Sequence, residues 1–284
     1  MRCSSSILTV HLSGNHITVS VYNPETRSLY PDLYLRVPVS HKAKRSTILQ
    51  VWRSSVGNVV AKLDGQVSGC TLIIPACLDE SKDSCLPDNY RRYETIDRTE
   101  LVPLFAKWVR IPPSRIKVIS HSVAMLYGTT AYTQLSEGNI YGATIGTDFS
   151  GALVKNGIIS DLNWEFKPYL SGYANNFLSS AWLQAFYNRV TGISVLNVEQ
   201  LVNLQYTSNT VKTIIKMFAD NLSEFMNSNC RLQPGDILFI DGDIVKAWGL
   251  LHSRLKKTLP EVTFKPVETG KKSALLGAGL LFDQ

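Results

Sequence analysis

The stretch that most constrains this chain is residues 139–157, NIYGATIGTDFSGALVKNG. It reads as an apolar strand from Ile140 to Ile145, a polar turn at Gly146-Thr147-Asp148, and a second strand from Phe149 to Lys155 ending at Asn156-Gly157. A Gly-Thr turn between two strands presents backbone N–H groups and a hydroxyl at one point, the equipment for holding a phosphate. Taken alone, the same pattern also describes an ordinary β-hairpin. A second hairpin stands near the start: ILTVHL (7–12) and HITVSVY (16–22) are β-branched runs flanking Ser13-Gly14-Asn15. Strand groups alternate with helical segments around these two hairpins, which predicts an α/β protein. The echo of one hairpin in the other suggests two related domains facing each other across a cleft.

The remaining elements follow from periodicity. A third extended stretch covers 33–39, and a helix is expected over 46–63 with Ser46 as its cap. CTLIIPA (70–76) is a buried strand, 79–98 a polar loop of the kind that often carries function, and 100–109 a helix closed off by Pro112-Pro113. RIKVI (115–119) is a short strand leading to a helix over 121–133 capped by Ser120 or Ser122. Helices are expected over 171–190, 210–228, 244–258 and 271–282, with a strand at 236–243.

Composition excludes several classes of function. The 284-residue chain is 44% hydrophobic and 18% charged, ordinary for a globular protein of one large or two modest domains. Its net charge of +6 is scattered. The densest run, His41-Lys42-Ala43-Lys44-Arg45, has no aromatic residue interleaved and reads as a solvated loop, so no nucleic-acid partner is expected. The five cysteines, Cys3, Cys70, Cys77, Cys85 and Cys230, are odd in number and lack CxxC spacing, which argues against structural zinc and a disulfide framework, and no metal site is expected. The apolar run in MRCSSSILTVHL is too short for a signal peptide, and no segment is long enough to span a bilayer, so a cytoplasmic protein with no membrane partner is expected.

Taken in order, the segments resemble the ROK family, bacterial sugar kinases and repressors built on the actin-like/hexokinase ATPase (ribonuclease H-like) fold. ILTVHLSGNHITVSVY resembles its first phosphate hairpin, RIKVISHSVAMLYG its strand, Asn-Asp pair and alanine-rich helix, and ATIGTDFSGALVKNG its second phosphate hairpin. YLSGYANNFLSSAWLQAFYNRVTG is similar to its helix entered through a Ser-Gly pair, DILFIDGDIV to its adenosine-site strand, and SALLGAGLL to its last helix. The resemblance implies a two-domain fold with an interdomain cleft: an N-terminal domain at 1–119, with the helix 271–284 packing back near it, and a C-terminal domain at 120–270. It implies phosphate or nucleotide contacts at Ser13, Gly14, Asn15, Gly146, Thr147, Asp148, Gly242 and Asp243, and a sugar contact at Glu165. The base position falls on His121. ATP and Mg2+ are the implied cofactors if the protein is active; a sugar or other small molecule in the cleft and a homodimer are the implied partners.

The departures fall on the residues the family uses. His11 stands where the family has a metal-organising acid, and magnesium prefers oxygen ligands. Ser120-His121 replaces the Asn-Asp pair; a histidine can still act as a general base. Asp148 replaces a glycine, at a cost of roughly 1–4 kcal/mol against a phosphate, unless it stands in for the acid lost at position 11. Asp241-Gly242-Asp243 replaces paired glycines. In DLNWEFKPYL (161–170) Glu165 has neither the family's His nor its cysteine-rich zinc loop after it, and is either a ligand contact or a surface residue. Trp164, Tyr169 and the loop 85–93 are candidates to line the cleft. Two readings result: a kinase-derived protein acting by binding a ligand or partner, and an active ATP-dependent sugar kinase with rearranged catalytic residues. A ROK repressor is set aside because such proteins carry a helix-turn-helix ahead of the first hairpin, which begins here at Ile7.

Overall fold

A computed structural model describes residues 5–63, 66–78, 93–131, 138–230, 232–267 and 271–283. The chain opens with an antiparallel meander, β1 (Ser6–Ser13), β2 (His16–Asn23) and β3 (Ser28–Pro38), followed by α1 (Arg45–Val60), β4 (Val67–Ile73), α2 (Leu101–Val109), β5 (Ile116–Ile119) and α3 (His121–Thr130). A second meander follows, β6 (Ile140–Ile145), β7 (Phe149–Lys155) and β8 (Ile158–Asp161), and then a short ribbon, β9 (Pro168–Tyr169) and β10 (Gly172–Tyr173). The remainder is α4 (Asn175–Leu178), α5 (Ser180–Thr191), α6 (Val198–Asn203), α7 (Asn209–Asn229), β11 (Ile237–Asp241), α8 (Trp248–Thr258), β12 (Thr263–Pro266) and α9 (Lys271–Leu280).

The chain divides into two compact units, residues 1–132 with 272–284, and residues 133–271. The first holds a sheet of order β3-β2-β1-β4-β5, antiparallel on the meander side and parallel through β1, β4 and β5. The second repeats that order as β8-β7-β6-β11-β12, again antiparallel on one side of the founding strand and parallel on the other. The hairpin echo in the sequence is therefore part of a fully duplicated sheet topology. Parallel neighbours need a crossover helix, which is why helical segments separate β1 from β4 and β6 from β11.

Each unit closes its own core. In the first, Ile48, Trp52 and Val56 of α1 recur one turn apart and are fully buried; α2 contributes Leu101, Phe105 and Val109 at the same spacing. Burying each large apolar side chain contributes about 1.5–3 kcal/mol. In the second, α7 buries Val211, Ile215, Phe218, Leu222 and Phe225, the last of which meets the stacked rings of Phe149 and Trp164. The closing helix α9 lies in the first unit and crosses α3 at contact distance. A Cβ on Gly128 would stand 1.9 Å from the Ser273 carbonyl oxygen, and one on Gly277 1.9 Å from that of Ala124.

Several expectations are corrected. Residues 120–131, expected to open the second domain, belong to the first unit, where α3 packs on α9. The cap of α1 is Lys44 with no side-chain bond, not Ser46, which lies inside the helix. The helix expected over 171–190 is broken: Ser179 is extended (φ −103°, ψ 161°) and its hydroxyl accepts the Trp182 N–H, so a new helix, α5, starts there. The segment expected as a helix from 244 begins as a 3-10 turn, Asp243–Ala247, before α8. Strands β8 and β12 and helix α6 were not anticipated. Residues 79–92 of the expected loop lie outside the described residues.

Candidate functional site

In the first unit the hairpin turn is Gly14-Asn15, with Ser13 paired to His16. Neither turn residue takes a positive φ, although two-residue hairpins favour turns that do, because those match the strand twist. The turn is anchored from outside instead. The Tyr93 hydroxyl donates to the Ser13 carbonyl, the Val39 N–H donates to Asn15 (3.0 Å), and His41 meets the Gly14 carbonyl through Nδ1 (2.7 Å) and its amide (3.3 Å). A carbonyl and the next N–H of a trans peptide point in opposite directions. The Gly14 and Asn15 amides therefore point away from Tyr93 and His41.

Beside this turn the imidazoles gather. His11, Ser13 and, across the ladder, His16 share one sheet face by alternation. His16 Nδ1 lies 2.5 Å from Asn15 Oδ1, 3.0 Å from Ser13 Oγ and 3.3 Å from the Arg36 guanidinium. The His11 ring is 5.8 Å from that of His16 and 4.6 Å from that of His121. His121 is the first residue of α3, half-buried, behind the cap Ser120, whose hydroxyl accepts the Val123 N–H (3.5 Å). His11 and His121, 110 positions apart in the chain, are thus brought into ring contact. His16, His41 and Arg36 were missed as site residues; for His16 the signal was available, since strand alternation puts it on the face of His11 and Ser13.

The second unit builds its turn differently. Gly146 N–H donates to the Asp148 carbonyl (2.9 Å) and Phe149 N–H to the Asn175 side chain (2.7 Å), whose amide reaches the Asp148 carboxylate at 3.5 Å. The first residue of α5 closes onto the same turn: Ser180 N–H donates to the Gly146 carbonyl (2.8 Å) and its hydroxyl to the Ile145 carbonyl (3.1 Å). Gly242, after β11, has φ +125°, ψ 165°, and a Cβ there would stand 2.2 Å from the Ile145 oxygen. Only glycine tolerates both conditions. Gly146, Thr147, Asp148, Gly242 and Asp243 therefore converge at the carboxyl ends of β6 and β11. Asn175 and Ser180, which tie the turn down, were not singled out from sequence.

The expected sugar-side residues need correction. Glu165 is 2% exposed, on a 3-10 turn after Asn163, so the surface reading fails. Trp164 does not line an opening: it is buried, stacked on Phe149 at 5.7 Å. Tyr169 is likewise buried; its hydroxyl donates to the Asn221 carbonyl (2.9 Å) and Glu224 (3.2 Å) on α7. Of the 85–93 stretch only Tyr93 lies among the described residues, and it is buried under the first hairpin. Among the described residues, no group of three His, Cys, Asp or Glu is arranged to hold a metal ion, and no helix is long and apolar enough to cross a membrane.

Two units, each with a β-meander continued by parallel strands and a turn at the head of its founding hairpin, define the actin-like ATPase fold. Its solved relatives are specific: the chain has the fold of ROK-family proteins. A ROK glucokinase from Streptomyces griseus, solved with glucose and AMPPNP, superposes with a TM-score of 0.75 at 12% identity, covering 98% of this chain and 99% of that one. A ROK hexokinase from Thermus thermophilus gives 0.66 at 14% identity over 98% and 100% of the two chains. A ROK transcriptional regulator, homologous to the E. coli MLC protein, gives 0.71 at 12% identity over 99% of this chain and 79% of that one. No protein-family model and no curated protein matches the sequence.

Proposed function

We propose that this chain is a divergent ROK-family, sugar-kinase-like protein that works by binding a hydroxylated ligand or a partner, not by magnesium-dependent phosphoryl transfer. The observation that carries this reading is the His11–His121 pair, rings 4.6 Å apart, at the two positions where the resemblance calls for carboxylates. Phosphoryl transfer rests almost entirely on positioning and charge stabilisation, and Mg2+ takes hard oxygen donors. Two imidazoles do not provide such a set, so the described residues do not fit Mg–ATP. What the first unit offers an oxygen-rich ligand is the outward amides of Gly14 and Asn15 and the imidazoles of His11, His16 and His121. We place the protein in the cytoplasm and, by family analogy, in a homodimer.

The second reading, an active kinase, is favoured by one observation: His121 stands half-buried at the head of α3, where a neutral imidazole can accept a proton. Calorimetry with ATP, with and without Mg2+, and a coupled assay over common hexoses separate the two. The binding reading expects no magnesium-dependent ATP affinity, no turnover, and a His121→Ala variant that differs only slightly in stability. Turnover that disappears in His121→Ala and falls as pH drops through about 6.5, the unperturbed histidine value, would establish the kinase instead.

A further inference from the structure

Away from both hairpins, α1 and α2 flank a groove of about 840 Å³ on the first unit. Along α1 it runs from Leu49 to Asn58, about 14 Å at the helical rise. Its apolar floor includes Leu49 and Trp108, and three cations, Arg53, Lys107 and Arg110, stand on its walls. None of its described lining residues is acidic, and none of the three cations forms an ion pair with another described residue.

Two residues of this groove are unfavourable for the fold that carries them. Gly57 lies inside α1, where alanine is the better helix former, yet a Cβ there would meet nothing within 4 Å. The described residues supply no reason for that glycine. Arg110 caps α2 in the left-handed region (φ 61°, ψ 45°), where glycine is the usual and less strained choice. A bare backbone patch and a strained cation, in one groove whose described rim is positive, suit a ligand that approaches closely and carries negative charge. We infer that the α1–α2 groove is a docking site for an acidic amphipathic helix of a partner protein, its apolar face on Leu49 and Trp108, its carboxylates on Arg53, Lys107 and Arg110, and its backbone close against Gly57. An elongated groove with exposed walls, floored by apolar side chains, is the shape that receives such helices.

The test is a selection of helical peptides from a randomised display library against the purified full chain, followed by anisotropy titration of the selected peptides and of a labelled oligothymidylate. The expected winners are rich in Asp and Glu, with apolar residues at helical spacing. They should lose about tenfold or more in affinity to Arg53→Glu/Lys107→Glu. Gly57→Ala and Arg110→Gly should weaken binding while leaving Tm unchanged or higher, so the loss cannot be ascribed to unfolding. The inference is overturned if no peptide is selected, if the winners are not acidic, if they bind Gly57→Ala and the charge variants as tightly as the parent, or if the oligothymidylate occupies the groove in their place.

Discussion

Gly242 and Gly57 are both glycines beside ordered backbone, and they predict opposite outcomes on gaining one methyl group. At Gly242 the φ of +125° and the 2.2 Å approach to the Ile145 oxygen leave no room. Gly242→Ala should destabilise the protein by more than about 2 kcal/mol, read as a lower urea midpoint. At Gly57 the same change meets open space and should stabilise by about 0.5–1 kcal/mol. The sequence marks both positions only as glycine. The histidines show the same limit: His11 and His121 can each be matched to a motif position, but their ring contact depends on how β1 and α3 are placed by the first core. Glu165 could not be assigned to the interior from DLNWEFKPYL, because an isolated charged residue between aromatics reads as a solvated one; burial at 2% exposure is set by the turn that follows β8.

Among the elements, the two hairpins were the most legible, since β-branched alternation and a polar turn fix strand bounds locally; β6 and β7 fall on the expected residues. The break between α4 and α5 was not, because the run from 171 to 190 has helical composition and Ser179 acts as a cap only once Asn175 and Ser180 are drawn to the second hairpin. The β12 strand escaped for a related reason: four residues, only one of them fully inside, carry too little periodicity to be recognised without β11 beside them. The α3–α9 crossing is the element-scale feature with the sharpest consequence. With the Ser273 carbonyl oxygen 1.9 Å from a Cβ on Gly128, the helices must separate if one is added. Gly128→Ala should lower stability by about 1–3 kcal/mol, the usual range for overpacking, and hydrogen exchange should show the loss first at α9.

For the whole molecule, burial sets an alkaline limit. Desolvation pushes the Cys230 thiol up to about 12 and Cys70 further still. Burial also raises Tyr22, Tyr141 and Tyr169, helped by Asp283, Asp236 and Glu224 respectively. In each case the folded state prefers the neutral form, so the unfolded chain loses its protons first. The stability contributed is complete below the ordinary values, 9.0 for the thiols and 10.0 for the tyrosines, and is lost as pH rises above them. Tm should therefore fall steadily above pH 9.0, less steeply in Cys70→Ala, and Cys70 should not react with a disulfide reagent until the chain is unfolded.

Local sequence was enough for the α/β class, the two hairpins with their turns, and the existence of α1, α2 and α7. These depend on neighbours a few residues apart, within reach of local sterics and side-chain periodicity. Tertiary packing was needed to place α3 in the first unit, β12 beside β11, His11 against His121, and Gly242 against Ile145. Each of those is a contact between residues far apart in the chain, fixed by which apolar faces close on one another and not by any local pattern.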